Sequence, residues 1–515
     1  MAVKSPFRFA RINRWVHEPN WGHLATHDVP FSDGVSGKVV VFLRTITPTL
    51  LGGERRAATE EREGAVWPFK IGDDYAIPPS SMQGMCRSIL EIACFGRLGD
   101  VIEDRKVTGR ENRRKITHSK SSHELLEFSN PQHKQAAETA SLDMASLIFG
   151  CAAEGNNGKG LKRRAWFGVG RATSRKPTSH FRNPAVLAEP KPSYEGIYVR
   201  QEGVGGRLNR GSDFATFSPQ PGPNYRSQPE LAGIKIWPSS YPDASPITLP
   251  RLPRKIAKNK LVQTALHPVP ESTVFEIPLT FHNLRPVELG ALLWTLTYGE
   301  IDALAADTTG VHRHHRLGMG KPYGLGEVSI SVHLSCTDSE KSAMKFVNDF
   351  EAYMQESYNR ANQGTWKDTV QVKALLKASD PEINKHQQLA YMPLGPKDLT
   401  EHHRDLGFTE QDTYQRAKTG KYFLEDYVEG GHEPKRAGGI ENSAGRVTSH
   451  SSSSAAAIGG GRILFRRSDG NSYYHRVTED SFELLEDAQV GENVRVRNMI
   501  TGEEVQVRSE DLVVE

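Results

Sequence analysis

The sequence is short of cysteine, of net charge and of long apolar runs, and each shortage removes a class of protein. Its four cysteines, Cys86, Cys94, Cys151 and Cys336, are scattered. None forms a CxxC pair, so neither a zinc knuckle nor a disulfide framework is expected. The formal net charge is only +3 over 515 residues. Any nucleic-acid binding must therefore come from local basic patches rather than a global field. No apolar run approaches the roughly 20 residues that a membrane helix needs. The opening residues, MAVKSPFRFARINRW, lack an apolar core of the signal-peptide kind. A cytoplasmic protein with no membrane partner is the expectation.

What is present is ordinary for a soluble globular chain, with 37 % hydrophobic and 25 % charged residues. The length suggests two or three structural units. The most distinctive stretch runs from His312 to Leu334, HRHHRLGMGKPYGLGEVSISVHL. A basic, histidine-rich approach leads into a loop holding Gly318, Gly320, Gly324 and Gly326. The loop feeds a strand in which Val328, Ile330, Val332 and Leu334 alternate with polar residues, the period of a sheet with one buried face. Glycines let a backbone come close to a partner and adopt conformations closed to other residues. Arg313, Arg316, Lys321 and Tyr323 suit an anionic partner with flat rings, which points to RNA.

Nucleotide-binding fingerprints place their glycines between a strand and the helix that follows. Here the loop is expected to follow a helical segment and feed a strand, and no Lys-Ser/Thr pair ends it. ATP and dinucleotides are set aside. His312, His314 and His315 have no carboxylate or cysteine at metal-ligand spacing, so RNA contact or surface exposure is expected of them rather than metal binding.

Along the chain, Lys38–Thr47 is a β-branched run expected to form a strand buried on both faces. Glu54–Asp74 is charged and expected to be a loop. Ser80 and Ser81 are placed to cap a helix over 80–96, in which Met82, Met85, Ile89, Ile92 and Phe95 mark one apolar face. Its first turn, with Ser80, Ser81 and Gln83 and with Arg87 one turn on, either binds a phosphate at the helix N-terminus or is a plain cap beside a solvated arginine. Residues 97–140 contain the basic run Arg105–Lys115, an exposed insertion able to clamp RNA. Ala165–Val169 is a further strand.

Residues 172–270 show no sustained period and read as an inserted loop system. Their rings, Tyr194, Tyr198, Phe214, Phe217 and Tyr225, lie among Arg200, Arg207, Arg210 and Arg226. Such rings serve either to stack on unpaired bases or to fill small cores under loops. Phe275–Phe281 alternates as a strand, interrupted only by Pro278, and Pro286–Tyr298 is an amphipathic helix. With the strand after the glycine loop, the order is β-α-β-β-α-β. That is the order of an α+β, ferredoxin-like (RRM-like) core with long insertions, here assigned to residues 1–335. Residues 336–440 read as a helical extension, 441–461 as a flexible linker and 462–515 as a small β-rich region.

Three segments resemble motifs of one family, the CRISPR-associated RAMP proteins. They are Thr47-Pro-Thr-Leu-Leu-Gly-Gly53, Ile77-Pro-Pro-Ser-Ser-Met-Gln-Gly-Met-Cys-Arg87 and the loop Gly318–Gly326. His27–Gly37 (HDVPFSDGVSG) and Leu147–Gly150 (LIFG) resemble elements of the branch that supplies backbone subunits to type III effectors. The family has proline-glycine where this chain has Pro78-Pro79, and lysine where it has Gln83.

The resemblance implies a subunit that grips guide RNA, presents it to target RNA and assembles with other CRISPR effector subunits. The residues it implies for RNA binding are Ser80, Ser81, Gln83, Arg87, Arg313, His315, Arg316, Gly318, Gly320, Lys321, Tyr323, Gly324 and Gly326. Some backbone subunits cleave target RNA with an aspartate and a divalent metal. Asp28, Asp33, Asp73 and Asp74 are the candidates for that role here, with Mg2+ as the cofactor. Two other readings stay open. One is a RAMP endoribonuclease that processes guide precursor with a histidine such as His315 as general acid–base. The other is a non-catalytic scaffold for protein partners.

Overall fold

The computed structural model describes residues 2–97, 142–152, 160–174, 176–187, 194–216, 230–300, 312–334, 339–360, 362 and 364–428, together with seven strands between Ile463 and Val514. The basic run Arg105–Lys115, the rings Phe217 and Tyr225, and the linker 441–461 lie outside the described residues. Contacts divide the chain into two compact units, Met1–Gly439 and Ile440–Glu515.

The first unit is built on β1 (Val35–Thr45), which lies between its two sequence-distant neighbours. On one side β9 (Val274–Leu284) pairs with it antiparallel, and on the other β11 (Glu327–Leu334) does the same. Beyond β11 stands β10 (His314–Arg316). Beyond β9 stand β5 (Ala165–Phe167) and β6 (Gly170–Ala172), followed by β4 (Asp74–Ile77). Counted among the strands expected from sequence, the order across the sheet is last, first, third, second. The fold is α+β.

Alternation explains these strands. Val39, Val41 and Leu43 of β1, Phe275, Ile277, Leu279 and Phe281 of β9, and Val328, Ile330 and Val332 of β11 enter one core. That core is completed by α1 (Pro79–Ala93), through Met82, Cys86, Ile89 and Leu90, and α3 (Pro286–Thr297), through Leu289, Leu292, Leu293 and Leu296. The other face of β1 is only partly covered, with Val40, Phe42 and Arg44 half-buried. β1 was expected to be buried on both faces, and its continuous apolar run concealed a one-sided strand.

Pro278 sits in β9 because its neighbour breaks opposite it. β5 and β6 are separate strands, and Gly168 between them donates its N–H to Pro278 O at 2.6 Å. A Cβ on Gly168 would stand 2.6 Å from the proline ring. The expected strand 165–169 is therefore split in two.

The charged segment Glu54–Asp74 is not a loop. It takes in most of β2 (Gly52–Arg56) and all of β3 (Gly64–Pro68), and it ends on the first residue of β4. β3 pairs antiparallel with β2 and parallel with β8 (Thr264–Leu266). Val66 and Leu266 fall in a second, smaller core with Leu50, Ala185, Ile247, Leu249 and Leu325. Pairing with a strand two hundred residues away outweighed local composition, as β structure commonly allows.

Asp143 caps α2 (Met144–Phe149), accepting from Ser146 N at 2.7 Å. After β11, α4 (Ser339–Asn359) brings Val347, Phe350 and Met354 into the main core. A Cβ on Gly290 of α3 would lie 1.9 Å from Phe346 O, so glycine permits this close approach of the two helices. α5 (Val370–Ser379) adds Val372 and Leu375. Buried Arg164 ties α2 to α3, donating to Leu147 O and Asn283 O and pairing with Glu288.

The second unit contains a five-stranded antiparallel sheet, Glu504–Arg508, Asn493–Asn498, Ser481–Leu484, Ser472–His475 and Leu512–Val514 in spatial order. A strand pair, Ile463–Phe465 with Ala488–Gln489, stands beside it in sequence.

Candidate nucleic-acid interface

The glycine loop is the turn of a hairpin, β10 to β11, rather than the sequel to a helix. All four glycines have positive φ: Gly318 82°, Gly320 75°, Gly324 86° and Gly326 81°. At Gly326 a Cβ would lie 2.0 Å from Leu317 O, and at Gly318 it would lie 2.4 Å from Leu50 O. The chain after β1 pins this loop from outside. Met319 N donates to Leu50 O (2.9 Å), Gly326 N to Pro48 O (3.1 Å), and Thr47 Oγ1 to Gly324 O (2.9 Å).

From inside, the loop is held by a buried carboxylate. Glu327 accepts from His314 Nδ1 (3.0 Å), Arg316 Nη1 (3.2 Å), Ser240 N (3.0 Å) and Tyr241 N (3.1 Å). Arg316 also donates to Lys321 O (2.9 Å) and Leu325 O (3.0 Å). Its two Nη groups are thus engaged by the fold itself, Nη2 by loop carbonyls and Nη1 by Glu327 and Pro238 O (3.3 Å). Tyr323 exchanges hydrogen bonds with both backbone atoms of Val186 and packs into the second core. Arg313 donates to Leu376 O and pairs with Glu300. These side chains shape the loop.

Lys321 is different. It is half-buried, and no hydrogen-bond or ion-pair partner of its ammonium is found among the described residues. Burial and the neighbouring Arg316 charge push its pKa down to about 8. It lines a cavity of about 370 Å³ together with Leu51, Ser80, Ser81, Gly84, Ser88, Lys235, Trp237, Arg316 and Gly318.

The first turn of α1 forms the facing wall. Its N-cap is Pro78, which makes no side-chain cap, and Pro79 is the first helical residue. Ser80 and Ser81 were expected to cap the helix; instead they stand inside its first turn. The leading N–H groups of a helix carry partial positive charge and suit an anion. Lys235 lies over the rings of Phe7 (4.1 Å) and Tyr198 (5.2 Å), and burial lowers its pKa. Its ammonium also donates to Tyr198 Oη at 3.4 Å, so the cavity offers the Lys321 ammonium, several hydroxyls and the Trp237 ring.

Ser80, Ser81, Arg316, Gly318 and Lys321 therefore meet at one cavity. Gln83 and Arg87 face away from it. Gln83 accepts from Arg163 (3.1 Å), and Arg87 donates to Glu91 and Gly150 O. Arg87 borders a second cavity, of about 580 Å³, with His27, Lys162 and Arg163.

His314 and His315 are buried, not exposed. His315 touches Thr295 O through Nε2 (3.1 Å) and Tyr298 edge-on, and burial drives its pKa down to about 3. It remains a neutral core residue, poorly placed for acid–base exchange with an RNA.

Asp28 is on an exposed turn, and Asp33 forms an ion pair with Arg285 at 2.9 Å. Asp73 and Asp74 flank the turn into β4, in a separate depression with Lys70 and Lys176. Among the described residues, no three His, Cys, Asp or Glu side chains gather as metal ligands would.

Sequence reasoning missed Ser88, Lys235, Trp237 and Glu327. The small-residue spacing Ser80, Gly84, Ser88 marks one helical face and could have revealed Ser88. Lys235 lies in β7 (Ile234–Ile236) and Trp237 just after it, both in the weakly patterned insertion, where no periodicity signals them.

No protein-family model and no curated protein matches the chain. Solved structures similar to it include a chain of a Type IV-B CRISPR complex, at 13% identity and a TM-score of 0.27, covering 58% of this chain and 92% of that one. Thermofilum pendens Csc2 is another, at 13% identity and a TM-score of 0.20, covering 61% and 75%. No described helix is long and apolar enough to cross a membrane.

Proposed function

We propose that the chain is an RNA-binding subunit of a CRISPR ribonucleoprotein, of the type III backbone kind, with a ferredoxin-like core. It grips guide RNA by its phosphates and presents it to target RNA beside other effector subunits. One observation carries this reading: the three segments that resemble RAMP motifs meet in space. Leu50 bonds to Met319, Thr47 to the Gly324 carbonyl, and Ser80 and Ser81 share a cavity with Gly318 and Lys321. The Lys321 ammonium and an uncapped helix start facing a positive-φ glycine loop suit a phosphate. The strand order last-first-third-second, with α1 and α3 in the same core, supports the ferredoxin-like assignment.

Binding of a single-stranded guide RNA, measured against salt, tests the proposal. Lys321→Ala should weaken affinity and reduce the slope of log affinity against log salt by about 0.7, the loss of one phosphate contact. Ser80→Asp, which sets a negative charge at the helix start, should weaken it further. Unchanged affinity in both variants would remove the cavity from the RNA path. Target cleavage that needs magnesium and stops with EDTA would add a catalytic role, to which we assign no residue.

A further inference from the structure

Four flat side chains stand in a row on the small sheet, outside the cavity. The register puts them there. Val66 and Leu266 are partners in β3 and β8 and point into the second core. By the period of two, the next residues, Trp67 and His267, emerge on the opposite face. Their ring centroids are 5.1 Å apart and their planes differ by 3°. His180 continues the stack at 5.3 Å and 26°. The Arg56 guanidinium covers the other end, 5.4 Å from the Trp67 ring.

One end of this row is closed and the other is open. Arg56 is anchored to Glu63 O (3.3 Å), whereas His180 is exposed. The Nδ1 atoms of His180 and His267 lie 3.5 Å apart. Burial, His180 and Arg56 all hold the His267 pKa below the usual histidine range. Packing alone would place the largest flat surface inward. Here the row ends on an uncovered imidazole face, with the exposed Arg182 two residues on.

We propose that the open end of this row stacks on an unpaired base of single-stranded RNA, with His180 as the contacting ring. Stacking on aromatic faces tolerates any base, which suits a protein that must accept varied sequences. The proposal rests on the RNA-binding reading above and adds a second contact to the same strand. Val269, two residues past His267, bonds to Thr49, and Leu50 bonds to Met319 of the glycine loop. That path, from His267 to Met319, spans at most roughly 22 Å, within reach of a few nucleotides.

The test compares RNA with its abasic counterpart on the full chain. His180→Ala should weaken binding of the ordinary strand about 5- to 150-fold. It should leave the salt slope and the binding of the abasic strand unchanged. His180→Trp should restore affinity for the ordinary strand. Equal affinity of wild type and His180→Ala, or an equal loss on abasic RNA, would overturn the stacking role. If Lys321→Ala weakens binding while His180→Ala does not, stacking alone fails. If the wild type binds no RNA, both proposals fall.

Discussion

Lys321 owes its depressed pKa to burial beside Arg316, and an incoming phosphate would reverse that shift. Binding then favours the protonated ammonium, so RNA affinity should fall as pH rises from 7 to 9, through about 8. Lys321→Arg, which stays charged across that range, should abolish the fall. A titration of affinity against pH for both proteins checks this, and identical profiles would dismiss Lys321 as the phosphate ligand. At this scale the sequence was readable in kind but not in role. Arg313, Arg316 and Lys321 are all basic, yet two are occupied by carboxylates and carbonyls of their own fold. Residue type shows what a side chain is able to bond. Its actual partner depends on strands brought together from far along the chain, as Glu327, Ser240 and Tyr241 are.

The glycine hairpin and the start of α1 are the elements that define the cavity, and their glycines make opposite predictions. Gly326→Ala would force a Cβ against Leu317 O in a left-handed conformation. It should destabilise the fold by at least about 1–3 kcal/mol and abolish RNA binding. Gly84 lies on the exposed face of α1, and a Cβ there meets nothing within 4 Å. Gly84→Ala should stabilise the protein by up to about 1 kcal/mol while narrowing the cavity and weakening RNA binding modestly. Urea unfolding and binding assays on both variants separate the two cases. The core strands and helices were legible because each carries an unbroken period, as in Phe275, Ile277, Leu279 and Phe281. β2, β3 and β10 were not. They are short; β2 carries charge and β10 histidine, and β3, set in a charged segment, exists because β8 and β2 pair with it, as β10 exists because β11 does.

At the scale of the molecule, His17 and His315, both buried, contribute to the response to acid. His17 is pushed down to about 4 and His315 to about 3, in both cases mainly by burial. Both stay neutral in the folded state while the unfolded chain takes up protons near pH 6.5. Their contribution is therefore complete above that pH and is lost as pH falls from about 6.5 towards 4 and then 3. Each should add up to about 1.4 kcal/mol per pH unit to the loss of stability in that window. Unfolding measured between pH 7 and 4 should show this slope, and His17→Phe should reduce it. A flat profile in the wild type would contradict the burial of both rings.

The placement of β1 also sets a timetable. Its partners β9 and β11 arrive more than two hundred residues later. At ribosomal speeds of roughly 5–20 residues per second, its apolar edge waits on the order of ten to fifty seconds for them. A nascent chain in that interval presents an unpaired strand that other chains can adopt. A polypeptide released after residue 270 should sediment as aggregate, whereas one released after Gly439 should remain in the supernatant. The central strand is thus the first piece of the sheet to be made and among the last to be satisfied.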